Sequence, residues 1–158
     1  MLDLLWIDGI EAIAPTLVSC SIHALRKSLE VFRLARQQTS SSRCKLLGAH
    51  LEGPFLAKTF KGAHDPNYLC EASLLALETR IKDFENEISL VTLAPELPGA
   101  VDVIRRLTDL EILVSLGHSG ANTDQSINAF DLGVGMITHA FNAMPGLHHR
   151  KPGPVGAA

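Results

Sequence analysis

Three residues far apart in the chain, Glu52, His118 and His139, share one local setting: each stands at or just past the end of a continuous apolar run. Leu46 to Leu51 leads into Glu52-Gly53-Pro54, Ile112 to Leu116 into Gly117-His118-Ser119, and Val134 to Thr138 into His139. Short runs that are apolar throughout read as buried strands of a parallel sheet, and such sheets collect their chemistry at the C-terminal ends of the strands. One carboxylate and two imidazoles at a common edge make a ligand set for a catalytic divalent cation, because three protein ligands leave a position open for water or substrate. Taken singly, each residue also fits the plainer role of a polar group capping strand-end backbone. The chemistry depends on all three meeting.

Other groups stand near these runs. His50 precedes Glu52 by two residues, so on a strand both side chains face the same way; a histidine hydrogen-bonded within the core fits it better than a ligand. The segment Lys58 to Pro66 combines Gly62 with His64, which can donate a hydrogen bond to a substrate carbonyl, although a solvated basic loop fits the same spacing. Past His139, the cluster His148-His149-Arg150-Lys151 suits a phosphate group, or simply solvent.

The elements that must position these residues follow from periodicity. Ile10 to Val18 reads as a strand and turn, and Ile22, Leu25, Leu29 and Phe32 recur at helical spacing. A helix is expected through Leu74, Leu77, Ile81 and Phe84, then a strand from Ile88 to Ala94 that closes at Pro95. Pro98 opens a helix with Val101, Ile104 and Leu107 on one face. Asn122 with Gln125 forms a capping box for a further helix with Ile127 and Phe130 facing inward, and Gly133 ends it. The polar run Thr39-Ser40-Ser41-Ser42 is expected to be a surface loop. Apolar strands alternating with amphipathic helices leave two architectures, a (β/α) barrel or a doubly wound open sheet.

Composition narrows the partners. The formal net charge is −3 with scattered Lys and Arg, which gives nucleic acid no electrostatic footing. Cys20, Cys44 and Cys70 are far apart and odd in number, as expected in the reducing cytoplasm. The apolar N-terminus carries Asp3, Asp8 and Glu11 and has no basic lead, so neither an export signal nor a membrane span is expected.

Several motifs stand in a distinctive order: His50-Leu51-Glu52-Gly53-Pro54, Lys61-Gly62-Ala63-His64, Leu93-Ala94-Pro95-Glu96, Gly117-His118-Ser119 and Thr138-His139-Ala140-Phe141-Asn142-Ala143-Met144. Together with Pro15-Thr16-Leu17, from about Gly9 onward, the sequence resembles the N-acetylglucosamine-6-phosphate deacetylases of the amidohydrolase superfamily. The resemblance implies an incomplete (β/α)₈ TIM barrel of about five βα units. Residues 1–158 would form one partial barrel domain without the family's N-terminal β-domain, first strand and C-terminal strands. The implied reaction converts N-acetylglucosamine 6-phosphate to glucosamine 6-phosphate and acetate.

Carried over by motif, Glu52, His118 and His139 would bind a divalent metal, zinc or alternatively iron(II) or another ion. Ala63 and His64 would contact the amino-sugar phosphate substrate. Asn142 and Ala143, through the backbone, and Arg150 would bind its phosphate, Arg150 serving its own site or that of a neighbouring subunit of a homo-oligomer. The resemblance places the catalytic aspartate beyond Ala158, so no catalytic base is expected in this chain. Two other readings stand beside this one: an inactive remnant serving as a binding or assembly module, and a deacetylase for N-acetylgalactosamine 6-phosphate.

Overall fold

In a computed structural model that describes residues 1–38 and 43–158, the apolar runs become parallel strands and most amphipathic stretches become helices. The expected loop Thr39 to Ser42 lies outside the described residues. A short helix, α1 (Leu2–Ile7), precedes β1 (Ala12–Ile13) and β2 (Thr16–Val18); α2 (Ile22–Arg36) follows, capped by the Ser21 hydroxyl, which accepts from the Ala24 N–H. Next come β3 (Lys45–Leu46), β4 (Ala49–Glu52), α3 (Leu74–Ile81), β5 (Ile88–Leu93), α4 (Ala100–Asp109) and β6 (Leu113–Leu116). Then α5 (Thr123–Asp131), β7 (Val134–Ile137) and α6 (Gly153–Ala157) complete the described elements.

The main sheet has the order β2-β4-β5-β6-β7, and every pairing is parallel. Each strand lies beside the next one of the same sheet in chain order, with no reversal. A doubly wound sheet reverses its order at a switch point, whereas a barrel does not, so the topology selects the barrel. Between sheet and helices lie Leu29, Leu77, Val91, Leu93, Ile104, Leu107, Val114 and Leu116, all essentially buried. β2 and β7 each pair on one side only within this sheet, and Val18 and Met136 on them are exposed. Among the described residues, no helix is long and apolar enough to cross a membrane.

Four local expectations need correction. The run from Leu46 to Leu51 is not one strand: Gly48, at φ +128°, breaks it, and its two halves join different sheets. A side chain there would also strike the Ser89 backbone, so glycine serves both the turn and the close approach. Phe84 is off α3, because the chain turns at Asp83 (φ 71°); the ring is nevertheless buried, beneath the guanidinium groups of Arg26 and Arg33. On α4 the inward face is Ala100, Val103, Ile104 and Leu107, and Val101 lies at its margin. The helix starts at Ala100, after Gly99, rather than at Pro98, and the helical period puts Val103 on one face with Ala100, Ile104 and Leu107.

On α5 the buried residues are Ser126 and Ala129; Ile127 is exposed and Phe130 half-buried. Small residues let α5 approach its neighbours closely, and Ser126 satisfies its hydroxyl by donating to the Asn122 carbonyl. The capping box is present in both directions: Gln125 N–H to the Asn122 side chain, and Asn122 N–H to the Gln125 side chain.

Candidate metal centre

β4 delivers Glu52 as its last residue, β6 delivers His118 two residues past its end, and β7 delivers His139 likewise. The parallel register puts these ends side by side. The Glu52 carboxylate (Oε1) lies 2.7 Å from His118 Nε2 and 3.3 Å from His139 Nε2, and the two Nε2 atoms are 3.0 Å apart. Around a tetrahedral zinc with bonds of about 2.0–2.1 Å, neighbouring donor atoms stand about 3.3 Å apart, so the three atoms are already gathered at ligand spacing.

The tautomers sharpen the point. His118 Nδ1 lies 2.8 Å from the Phe60 carbonyl and His139 Nδ1 lies 3.1 Å from the Asn142 carbonyl. A carbonyl only accepts, so each Nδ1 carries the proton and each Nε2 presents a lone pair. Two lone pairs and a carboxylate oxygen therefore face one another, an arrangement that repels unless a cation or an added proton sits among them. The donor set thus fits a divalent metal, with backbone carbonyls orienting both imidazoles from behind.

His64 is built the opposite way. Its Nδ1 accepts from the Ser19 N–H (3.3 Å) and lies 3.0 Å from the Ser19 hydroxyl, so the proton is on Nε2, which points toward Glu52 Oε1 at 3.6 Å. At that distance it is a donor aimed into the site rather than a bonded partner. The ring is buried and meets His118 edge-on at 4.6 Å between centroids. Gly62 (φ 55°) lets the loop pass this close, since a side chain there would come within 3.1 Å of the His118 ring.

Below the three donors runs a polar layer with one residue from each strand of the sheet or its end. Thr16 is hydrogen-bonded to His50 Nδ1 (2.9 Å), His50 Nε2 to Thr92 (2.7 Å), Thr92 to Thr138 (2.6 Å) and Thr138 to Ser115 (2.7 Å). Both ring nitrogens of His50 are used, as expected of a core histidine and not of a ligand. Among the described residues no buried side-chain nitrogen or oxygen lacks a partner.

Electrostatics follow from these contacts. Burial works to raise the Glu52 pKa, but the close imidazoles of His118, His64 and His50 outweigh it and hold the carboxyl below its usual range. Burial lowers His50, against the pull of Glu52. Burial, then the proximity of His118, lowers His64. The His118 and His139 backbones are left-handed, at φ 49° and 34°, as are Phe141 (75°) and Ala143 (51°). Non-glycine residues hold such conformations only where their surroundings over-determine them.

The remaining expected site residues divide. Ala63 is exposed beside His64. The Asn142 carbonyl faces His139 Nδ1, and the Ala143 carbonyl accepts from the Ser119 N–H at 3.2 Å, so both brace the ligand loops. Arg150 is exposed in a turn and lines, with Lys151, a cleft at the start of α5. The sequence reading gives no role to Glu96, which it holds only within a motif, and misses Ser19 and the Thr92–Ser115–Thr138 layer. The only sequence signal for the last was a hydroxyl residue near the end of each otherwise apolar run.

A sequential parallel barrel sheet with a carboxylate and two imidazoles at its C-terminal mouth defines the class, a TIM barrel of the amidohydrolase type. No protein-family model matches the chain. It is 37% identical over 151 residues to the N-acetylgalactosamine-6-phosphate deacetylase of Escherichia coli O157:H7, covering 95% of this chain and 40% of that protein. It is 38% identical over 149 residues to the N-acetylglucosamine-6-phosphate deacetylase of Vibrio furnissii, covering 94% and 37%. Among solved structures, the N-acetyl-D-glucosamine-6-phosphate deacetylase of Mycobacterium smegmatis superposes with a TM-score of 0.87 at 31% identity, covering 98% of this chain and 40% of that one. An aspartate-to-alanine variant of that mycobacterial enzyme has been solved in complex with N-acetyl-D-glucosamine-6-phosphate. Along nearly its whole length, then, the chain is a relative of the N-acetylglucosamine-6-phosphate deacetylases. It spans about 40% of the length of the curated relatives it matches.

Proposed function

We propose that Glu52, His118 and His139 bind one divalent cation and that the chain forms the cation-binding part of a hydrolase for the acetamido group of N-acetyl amino-sugar 6-phosphates. The observation that carries this reading is the convergence of two imidazole lone pairs and a carboxylate oxygen with no proton assigned between them. A bound divalent ion, zinc or alternatively iron(II), supplies Lewis acidity and makes water a nucleophile near neutral pH.

The chain's own groups then have distinct tasks. His64 keeps its proton on Nε2, because Ser19 occupies Nδ1, and through it donates a hydrogen bond to the acetamido carbonyl. Ala63 lines the same approach. Arg150, with Lys151, offers positive charge to the sugar phosphate from the cleft at the start of α5, and Asn142 and Ala143 are assigned, by resemblance, backbone contacts to the same phosphate. Water adds to the acetamido carbon, the C–N bond breaks, and the products are the free amine and acetate. By resemblance, an aspartate acts as the general base that takes the proton of the water and returns it to the departing nitrogen.

Relatives bear the names of both the gluco and the galacto substrates, which differ in the orientation of one hydroxyl; none of the residues assigned here reads that hydroxyl. The test is titration calorimetry of the zinc-loaded chain with each sugar phosphate. Binding should require zinc and should weaken about tenfold in His64→Ala, the value of one hydrogen bond of about 1.4 kcal/mol. Binding that is indifferent to zinc and to His64 would contradict the proposal and favour a non-catalytic binding module. A parallel acetate-release assay measures turnover.

A further inference from the structure

The motif Leu93-Ala94-Pro95-Glu96 has no task in the chemistry above, yet its acid reaches into the loop that carries His118. Glu96 Oε2 accepts from the Ser119 hydroxyl at 2.7 Å and Oε1 accepts from the Gly120 N–H at 2.5 Å. Ser119 Oγ in turn accepts from the Ala121 N–H at 3.0 Å. Ser119 and Ala121 are fully buried. The same stretch is fixed at two further points: the Ala57 N–H donates to the His118 carbonyl at 2.9 Å, and the Ser119 N–H donates to the Ala143 carbonyl at 3.2 Å.

His118 needs this bracing, since its backbone is held at φ 49°. Gly120 is pressed against Phe60, where an added side chain would come within 2.9 Å of the ring, and the Phe60 carbonyl is the group that orients His118 Nδ1. The carboxylate, the loop and the orienting carbonyl are thus one packed unit.

We infer that Glu96 is a positioning residue for the cation site: it holds the 118–121 loop in the conformation that aims His118 Nε2 at Glu52 and His139. The chemistry demands an acid of this length. Both partners donate here, and only a carboxylate accepts from both at once; glutamine would have to reverse the Ser119 contact, with its NH₂ donating to Oγ, and would lose the charge, while aspartate is one methylene short. Glu96 itself need not touch the cation. The inference rests on His118 being a ligand, and the test separates the two.

The experiment compares wild type with Glu96→Gln, Glu96→Asp and Ser119→Ala. Three quantities are read: zinc affinity by chelator competition, the visible spectrum of the cobalt(II)-substituted chain, and the ring-nitrogen NMR shifts of His118 in the metal-free chain. Glu96→Gln should weaken zinc about tenfold, as loss of a group that orients a ligand does, and alter the cobalt bands. It should also convert His118 from a pure Nδ1–H tautomer to a mixture, with melting lowered by only a few degrees. Ser119→Ala, which keeps the Gly120 contact, should fall between. Zinc affinity within twofold of wild type in Glu96→Gln, with the His118 tautomer unchanged, overturns the inference. Wild type that binds no zinc overturns the ligand assignment instead, while the metal-free His118 shifts still decide the role of Glu96.

Discussion

Replacing Gly117 by alanine adds one methyl group at the tightest point behind the ligands. The new Cβ would lie 2.8 Å from Thr138 Cβ and 2.8 Å from Thr92 Cγ2. Carbon atoms pack at about 3.5–4.0 Å, so the methyl is about 0.7 Å too close on both sides. Neither threonine can simply rotate away. Their hydroxyls bond each other at 2.6 Å, and Thr138 also bonds Ser115 while Thr92 bonds His50. Overpacking of this kind costs about 1–3 kcal/mol, and breaking one hydroxyl contact adds about 1 kcal/mol. A loss of about 2–4 kcal/mol lowers the melting temperature of a chain this size by about 4–16 °C. Because Gly117 immediately precedes His118, zinc affinity should fall as well. The assay is thermal and urea unfolding of the metal-free chain, with Gly146→Ala as control, since nothing lies within 4 Å of its added methyl. The control should stay within about 0.5 kcal/mol of wild type. Adding Thr92→Ser, which removes the Cγ2 contact, should restore part of the loss. A Gly117→Ala melting point indistinguishable from the control would refute the reasoning, because it would mean that the layer behind the ligands is loosely packed.

Two further outcomes follow from the same geometry. Asn122→Ala removes one half of the α5 capping box and should cost about 1 kcal/mol in urea unfolding, with zinc binding unchanged; no loss would show that the cap is redundant. Acidification should destabilise the metal-free chain. Burial holds His50 and His64 below their ordinary 6.5, so their stabilising contribution is complete above pH 6.5 and drains away as pH falls through their lowered values. Glu52, held below 4.5, adds a second loss at lower pH, again as pH falls through its lowered value. The check is the urea midpoint between pH 7.5 and 4; a midpoint that rises on acidification contradicts these assignments.

The strand ends, the βα alternation and the α5 capping box were legible because each is a local pattern: an apolar run, a helical spacing, a cap three residues from its partner. Glu52, His118 and His139 could be picked out because strand ends of a parallel sheet converge whatever the helices do. The choice between barrel and open sheet was not legible from periodicity, since it depends on strand order, and the resemblance supplied it. Helix phase was misjudged at Val101 and Ile127, where packing turned Ala100 and Val103 of α4, and Ser126 and Ala129 of α5, inward instead. Histidine tautomers were invisible because they are set by groups from distant segments, Phe60 for His118 and Ser19 for His64. Glu96 was visible as part of a motif but without a role, for its partners Ser119 and Gly120 come from the next strand's loop.

The central claim is that three side chains from three strands hold one cation. Metal analysis after zinc loading and gel filtration tests it directly, on wild type, Glu52→Gln, His118→Ala and His139→Ala. One zinc per wild-type chain, with none retained by either histidine variant, is the predicted result; one zinc retained by both histidine variants would contradict the account.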